Sequence, residues 1–137
     1  MIVNQVQVRP LVVVMKVISP VAHGVIDYLS VFLLALSTVM FDMNNELRNY
    51  VFMFSGAYLL LSLITNYKPG IIRLVPFPAH GILELISAAL LIYLAFTDFQ
   101  EYALGKYYFL ALAIFVVLVF LLTDWNGSKT TKTEIGI

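Results

Sequence analysis

The chain alternates between long apolar runs and short polar segments. Four runs approach the roughly 20 mostly apolar residues that a helix needs to cross a bilayer core about 30 Å thick. They cover residues 20–40, 50–65, 78–96 and 107–123. Because a helix satisfies its own backbone hydrogen bonds in lipid, the pattern predicts four transmembrane helices.

Composition excludes several classes of protein. The 137 residues are 61% apolar and 12% charged, whereas an ordinary soluble domain has roughly 45–50% apolar and about 25% charged residues. A net charge of zero argues against nucleic-acid binding, which needs a basic surface. The lack of cysteine excludes disulfides, thiolate metal sites and cysteine nucleophiles. We therefore expect a multi-pass membrane protein that does not bind nucleic acid.

Basic residues are distributed unevenly over the connections. Most lie near the termini or between the second and third runs, namely Arg9, Lys16, Lys68, Arg73, Lys129 and Lys132. Arg48 and Lys106 fall on the opposite side. Since cytoplasmic loops carry the excess of Lys and Arg, we expect both termini to be cytoplasmic.

The two halves of the chain are similar to each other. Residues 23–30 (HGVIDYLS) align with residues 80–87 (HGILELIS) at an offset of 57. The ends of the second and fourth runs, residues 63–67 and 121–125, align at an offset of 58. This duplication predicts two tandem two-helix repeats related by a pseudo-two-fold axis along the membrane normal. The expected fold is an all-α bundle of four transmembrane helices.

The duplication divides the chain into five segments. An N-terminal cytoplasmic or interfacial segment covers residues 1–17. The first repeat covers residues 18–67 and the second covers residues 78–125. We expect a cytoplasmic linker at residues 68–77 and a cytoplasmic tail at residues 126–137.

The layout of the repeats resembles a known family. Repeats of two helices, each with a proline-led start and an HG-containing first helix, resemble the SPW-repeat proteins, which are small bacterial membrane proteins. The Ser-Pro-Trp motif of that family corresponds to residues 37–39 and 94–96, where only Ser37 matches. The resemblance implies a multi-pass protein of the bacterial inner (plasma) membrane, and it implies no activity.

Polar residues interrupt the apolar runs at matching positions. In the first and third runs they are spaced i, i+4, i+7, which places each trio on one helix face. Because ionisable groups that face lipid are costly, we expect these trios and the residues that end the other two runs to form one buried polar layer. Its expected members are His23, Asp27, Ser30, His80, Glu84, Ser87, Asn66 and Asp124.

The pseudo-symmetry predicts that His23 pairs with Glu84 and His80 with Asp27. Four interpretations of the layer stay open. It could be purely structural, or it could be a proton relay or small-ligand pocket, because histidine titrates near neutral pH. The same four residues are candidate ligands for a metal such as zinc or iron. The two histidines are also candidates to hold a haem between them.

Small residues mark the expected helix contacts, because they let helix backbones approach closely in membranes. Gly24 and Gly81 would allow the first and third helices to approach each other. Ser55, Gly56 and Ala57 form a small patch in the second helix, which favours contact within the bundle or with a partner protein.

The sequence contains no phosphate-binding loop, nucleophile elbow, HExxH motif or dinucleotide fingerprint. We therefore expect a scaffold or accessory subunit without enzymatic activity, catalytic residues or cofactor. Its expected partners are the lipid bilayer and other membrane subunits or a second copy of the chain. The alternative is a membrane enzyme or carrier that uses the polar layer for proton transfer, metal binding or haem binding.

Overall fold

A computed structural model of the chain describes residues 16–127. Most of the predicted N-terminal segment and of the predicted tail lies outside these residues. The described part contains four helices: α1 (Pro20–Met40), α2 (Asn45–Ile64), α3 (Phe77–Phe96) and α4 (Ala103–Leu122). All four are long and apolar enough to cross a membrane. The predicted helical fold, with four helices long and apolar enough to span a membrane, is therefore confirmed.

Capping determines where the first two helices begin. Ser19 and Asn44 cap α1 and α2, because their side chains accept hydrogen bonds from backbone N–H groups three residues later. α2 and α4 begin at Asn45 and Ala103, several residues before the predicted starts. Their first turns carry charged residues, so hydropathy alone starts both helices too late.

Short extended segments join the helices at one end of the bundle. Strand β1 (Thr65–Asn66) follows α2 and pairs in parallel with strand β2 (Val75–Pro76), which precedes α3. A matching parallel bridge links Ile18, before α1, to Thr123, after α4. The helices therefore run up, down, up and down, and we call this end of the molecule the strand end.

The bundle consists of two helical hairpins, since α1 packs mainly on α2 and α3 mainly on α4. The apolar core lies toward the end opposite the strand end, and its most buried members are Leu47, Val51, Leu91, Ala95, Phe99 and Phe109. Large apolar side chains also cover the outside of the helices. An apolar exterior suits a helix bundle that lipid surrounds.

The small-residue patch of α2 contacts another helix at one position. The hydroxyl of Ser55 donates a hydrogen bond of 3.1 Å to the carbonyl of Val31 in α1. Gly56 and Ala57 are exposed, and a Cβ added at Gly56 would meet nothing within 4 Å. The expectation of a helix contact inside this chain therefore applies to Ser55 and is wrong for its two neighbours.

Candidate metal centre

Four ionisable side chains meet between α1 and α3. α1 supplies His23 and Asp27, α3 supplies His80 and Glu84, and each is at most 3% exposed. The spacing of four residues places each acid one turn beyond its histidine on the same helix face. The two imidazole ring centres lie 5.3 Å apart. We call these residues the four-residue cluster.

Each histidine presents its Nε2 atom to both acids. Nε2 of His23 lies 3.4 Å from Oδ1 of Asp27 and 3.4 Å from Oε1 of Glu84. Nε2 of His80 lies 3.4 Å from Oδ2 of Asp27 and 3.5 Å from Oε1 of Glu84. The predicted cross-helix pairs are therefore present, and each is accompanied by a pair within its own helix.

Two threonines hold the other nitrogen of each ring. Nδ1 of His23 lies 2.8 Å from Oγ1 of Thr123, and Nδ1 of His80 lies 2.7 Å from Oγ1 of Thr65. Both hydroxyls donate their own proton to the carbonyl four residues earlier, at 2.6 Å. Each hydroxyl oxygen therefore accepts a hydrogen bond from Nδ1–H of its histidine. This arrangement protonates Nδ1 and leaves the Nε2 lone pair facing the acids.

The inner atoms of the cluster lack ordinary hydrogen bonds. Among residues 16–127, neither Nε2 atom has a hydrogen-bond partner, and Oε2 of Glu84 has none either. The four N···O separations of 3.4–3.5 Å exceed the usual N–H···O range of about 2.7–3.2 Å. Metal–ligand bonds of roughly 2.0–2.2 Å place neighbouring ligands of a tetrahedral ion about 3.3–3.6 Å apart. The three separations that use one oxygen per acid, from Oε1 of Glu84 to both Nε2 atoms and from Oδ1 of Asp27 to Nε2 of His23, match edges of a tetrahedral coordination shell.

The donor set also fits a single ion. One ligand atom from each member of the four-residue cluster can be chosen so that all four lie within 4.8 Å of one another. Two imidazole nitrogens and two carboxylate oxygens are ligands that zinc accepts. The Nδ1–H bonds to hydroxyls correspond to the outer hydrogen bonds that carboxylates, carbonyls or water make to metal-bound histidines in other proteins.

Three aromatic rings cover the four-residue cluster at the strand end. The ring centres of Phe77 and Trp125 lie 5.3 and 5.0 Å from that of His23. The ring centre of Tyr67 lies 5.8 Å from that of His80. We call these three residues the aromatic cover. Tyr67 and Trp125 follow the ends of the second and fourth apolar runs, where aromatic residues are typical of membrane interfaces.

Tyr67 also contacts the cluster directly. Its hydroxyl donates a hydrogen bond of 2.9 Å to Oδ2 of Asp27. Burial, together with the neighbouring carboxylate, raises the pKa of Tyr67 above its usual value. The phenol therefore stays protonated at neutral pH and acts as a donor to Asp27.

Gly24 and Gly81 provide the space for two of the covering rings. A Cβ at Gly24 would lie 2.8 Å from a ring carbon of Tyr67, and one at Gly81 would lie 2.7 Å from the ring of Trp125. The expectation that these glycines bring α1 close to α3 is therefore wrong. The space that they leave is taken by side chains from the connections.

Substituting Gly81 by alanine is expected to destabilise the fold by about 1–3 kcal/mol, since the added Cβ overpacks against Trp125. Thermal unfolding of the protein in detergent micelles measures the effect. Gly56→Ala is the matched control in α2, because its Cβ would enter open space. An unfolding temperature for Gly81→Ala no lower than that of Gly56→Ala would contradict this account of the aromatic cover.

Asn66 and Asp124 do not occupy the predicted places in the layer. After each helix the backbone is extended at Thr65 and at Thr123, so successive side chains point to opposite sides. The threonines face the histidines, and Asn66 is exposed. Asp124 is buried, and its carboxylate accepts a hydrogen bond from the backbone N–H two residues later, at 3.2 Å. In both halves, the residue predicted to join the layer is the one that follows the threonine contacting the histidine.

Ser30 and Ser87 lie on the predicted helix faces and outside the cluster. Both are half-buried, and both donate hydrogen bonds to backbone carbonyls of their own helices. Ser87 also bonds to the hydroxyl of Tyr58 at 2.9 Å, which ties α3 to α2. Their role in the described structure is helix packing.

No protein-family model matches this chain, and neither a curated protein nor a solved structure is significantly similar to it. The resemblance to SPW-repeat proteins and the bacterial origin stay predictions. Function has to be inferred from the geometry of the site itself.

Proposed function

We propose that this chain is a multi-pass membrane protein that holds one divalent transition-metal ion, with zinc as the best fit, in the four-residue cluster. The observation that carries the proposal is the convergence of two buried Nε2 atoms, neither with a hydrogen bond among residues 16–127, on the same two carboxylates. A threonine hydroxyl accepts a hydrogen bond from Nδ1–H of each ring. The proton is therefore on Nδ1, and the lone pair of Nε2 faces the acids. Such a nitrogen is ready to bind a cation.

The charges of the cluster support an ion at its centre. Asp27 and Glu84 are buried side by side, and buried carboxylates are costly unless they are paired or bind a metal. If the imidazolium forms supplied the pairing, charge-assisted bonds of about 2.7–2.9 Å would be expected. The observed separations of 3.4–3.5 Å favour a cation between the four groups.

The packing around the cluster favours a bare ion over the other open interpretations. Phe77 and Trp125 lie against the ring of His23 and occupy space that a haem plane would need. The aromatic cover and the burial of all four ligands favour a resident ion over a pocket that opens to solvent. We therefore assign no catalytic residue.

A second proposal concerns the role of the whole molecule as a membrane scaffold or accessory subunit. The exposed Gly56 and Ala57 support it, because small residues let another transmembrane helix approach closely. Ala57 also lines an apolar groove of about 410 Å³ between α2 and α3. We propose another membrane subunit or a second copy of this chain as the partner.

The repeats and the orientation belong to the same proposal. Thr65 contacts His80 as Thr123 contacts His23, which supports a duplicated hairpin with pseudo-two-fold symmetry. Residues 68–74, with two basic side chains, connect α2 to α3 at the strand end. By the positive-inside rule, we propose that the strand end faces the cytoplasm of a bacterial cell.

Metal content and the visible spectrum of the protein purified in detergent test the metal proposal. We expect about one zinc ion per chain, in keeping with a single four-ligand site, and a colourless protein. His23→Ala and His80→Gln should lose the ion, and the second variant retains a side-chain N–H donor near Thr65. Ser55→Ala is the control, because it removes a hydrogen bond between α1 and α2 away from the cluster.

The outcomes separate the alternatives. A wild-type protein that is metal-free and does not bind added zinc would overturn the metal proposal. If the histidine variants of such a protein lose only thermal stability, the layer is structural and the scaffold proposal stands alone. A haem spectrum that disappears in the variants would replace zinc by haem.

A further inference from the structure

We infer that Tyr67 sets the coordination number of the bound metal by holding one oxygen of Asp27 out of the coordination shell. The inference rests on the proposed function and deepens it. Tyr67 is a positioning residue, since it acts on the ion through Asp27. The result is a closed, four-coordinate site.

Both oxygens of Asp27 lie where they could reach an ion in the cluster. Oδ1 lies 3.4 Å from Nε2 of His23, and Oδ2 lies 3.4 Å from Nε2 of His80. A carboxylate in this position could bind through both oxygens and raise the coordination number to five. The phenol of Tyr67 donates to Oδ2 at 2.9 Å and competes with the ion for that oxygen. Oδ1 is then the one oxygen of Asp27 left for the metal.

The Tyr67 ring is fixed in the orientation that this hydrogen bond needs. It is 5% exposed, and it packs over Gly24, where a Cβ would come within 2.8 Å of it. The ring also packs in a tilted orientation against Phe77, with ring centres 5.6 Å apart. Because the ring has little room to turn, the hydroxyl is held in place before any metal binds.

In the second half of the molecule, the covering ring makes no hydrogen bond to the acid, Glu84. Trp125 occupies over Gly81 the position that Tyr67 occupies over Gly24. Its indole N–H donates to the carbonyl of Phe120 at 3.0 Å and not to Glu84. Oε2 of Glu84 accordingly has no hydrogen-bond partner within the described part of the chain.

Glu84 needs no such restraint to bind through one oxygen. Its Oε1 atom lies 3.4 and 3.5 Å from the two Nε2 atoms, so one oxygen already faces both histidines. Two imidazole nitrogens, Oε1 of Glu84 and Oδ1 of Asp27 would then supply four ligands to the ion. Structural zinc sites have four protein ligands, whereas catalytic zinc sites keep a position open for water. The inferred ion is therefore structural.

Cobalt(II) substitution tests this inference, because the visible bands of tetrahedral cobalt(II) are much stronger than those of five- or six-coordinate cobalt(II). We expect strong tetrahedral bands for the wild-type protein loaded with Co²⁺. Tyr67→Phe and Tyr67→Trp, which keep a ring over Gly24, should bind Co²⁺ with several-fold weaker, shifted bands. Tyr28→Phe is the matched control, since it removes a phenol that donates to the carbonyl of Pro69 at 3.0 Å.

The failure of each claim has its own signature. A wild-type protein that takes up no Co²⁺ overturns the proposed metal site. Weak five- or six-coordinate bands in the wild type overturn the four-coordinate shell and leave the metal site standing. Strong tetrahedral bands that are identical in the wild type and in both Tyr67 variants overturn the role of Tyr67 alone.

Discussion

Removal of the proposed ion by a chelator should lower the unfolding temperature of the purified protein by roughly 10 °C. An ion that binds the folded state alone stabilises it by about 4 kcal/mol at a free concentration one thousand times its Kd. The ligands are divided between the hairpins, with His23 and Asp27 on α1 and His80 and Glu84 on α3. An unfolded or separated pair of hairpins does not offer the complete set.

Thermal unfolding in detergent, followed by circular dichroism with chelator and with added zinc, measures this effect. Zinc should restore the higher unfolding temperature, and magnesium should not, because it prefers six oxygen ligands. His80→Gln serves as the control that lacks a ligand, and its unfolding temperature should respond to neither reagent. An equal response of the wild type and His80→Gln would show that zinc acts elsewhere on the protein.

The sequence predicted the helices and the four-residue cluster because both depend on regular periodicity. Four apolar runs mark the spans, and a spacing of four residues places His23 with Asp27 and His80 with Glu84 on single helix faces. The cost of ionisable groups in lipid then requires the two faces to meet. Neither the helix spans nor the shared helix faces depend on the conformation of the loops.

The outer contacts of the cluster could not be derived in the same way. The helices end at Ile64 and Leu122, and the extended residues that follow reverse which side chains face inward. Charge and polarity favoured Asn66 and Asp124, whereas Thr65 and Thr123 are the residues that face the histidines. The signal available in the sequence was the identical threonine at both aligned positions. An uncharged threonine does not stand out by hydropathy or charge.

The aromatic cover depends on chain segments without periodicity. Tyr67 reaches Asp27 because the connection after α2 folds back through the β1–β2 pairing. A pairing of two residues leaves no alternating pattern in the sequence. Aromatic residues at the end of an apolar run are typical of membrane interfaces. This general preference does not indicate that Tyr67 contacts Asp27.

The histidines are supported across the hairpins. His23 of the first hairpin bonds to Thr123 at the end of the second, and His80 of the second bonds to Thr65 at the end of the first. Docking of the hairpins therefore completes both the ligand set and the contacts that orient it. Loss of either threonine should weaken metal binding even though no ligand is removed.

Thr65→Val and Thr123→Val are each expected to lower the zinc affinity by about 10- to 100-fold, the usual cost of removing an outer partner of a metal ligand. Valine keeps the shape of threonine and removes the acceptor for Nδ1–H, so the other tautomer, with its proton on Nε2, becomes accessible. Competition with a chromophoric chelator measures the affinity. Thr65→Ser should bind nearly as tightly as the wild type, because it keeps the hydroxyl.

Thr38→Val is the matched control for this series. Thr38 is buried in α1 and donates to a backbone carbonyl at 2.7 Å, as the two threonines of the site do, and it lies away from the four-residue cluster. Its substitution should change stability without changing zinc affinity. If Thr65→Val binds zinc as tightly as Thr65→Ser, the hydroxyl does not control the affinity and the threonine contributes only packing. A similar loss of zinc affinity in Thr38→Val would indicate a general effect of destabilisation. Losses confined to Thr65→Val and Thr123→Val would show that the two Nδ1–H bonds control the zinc affinity.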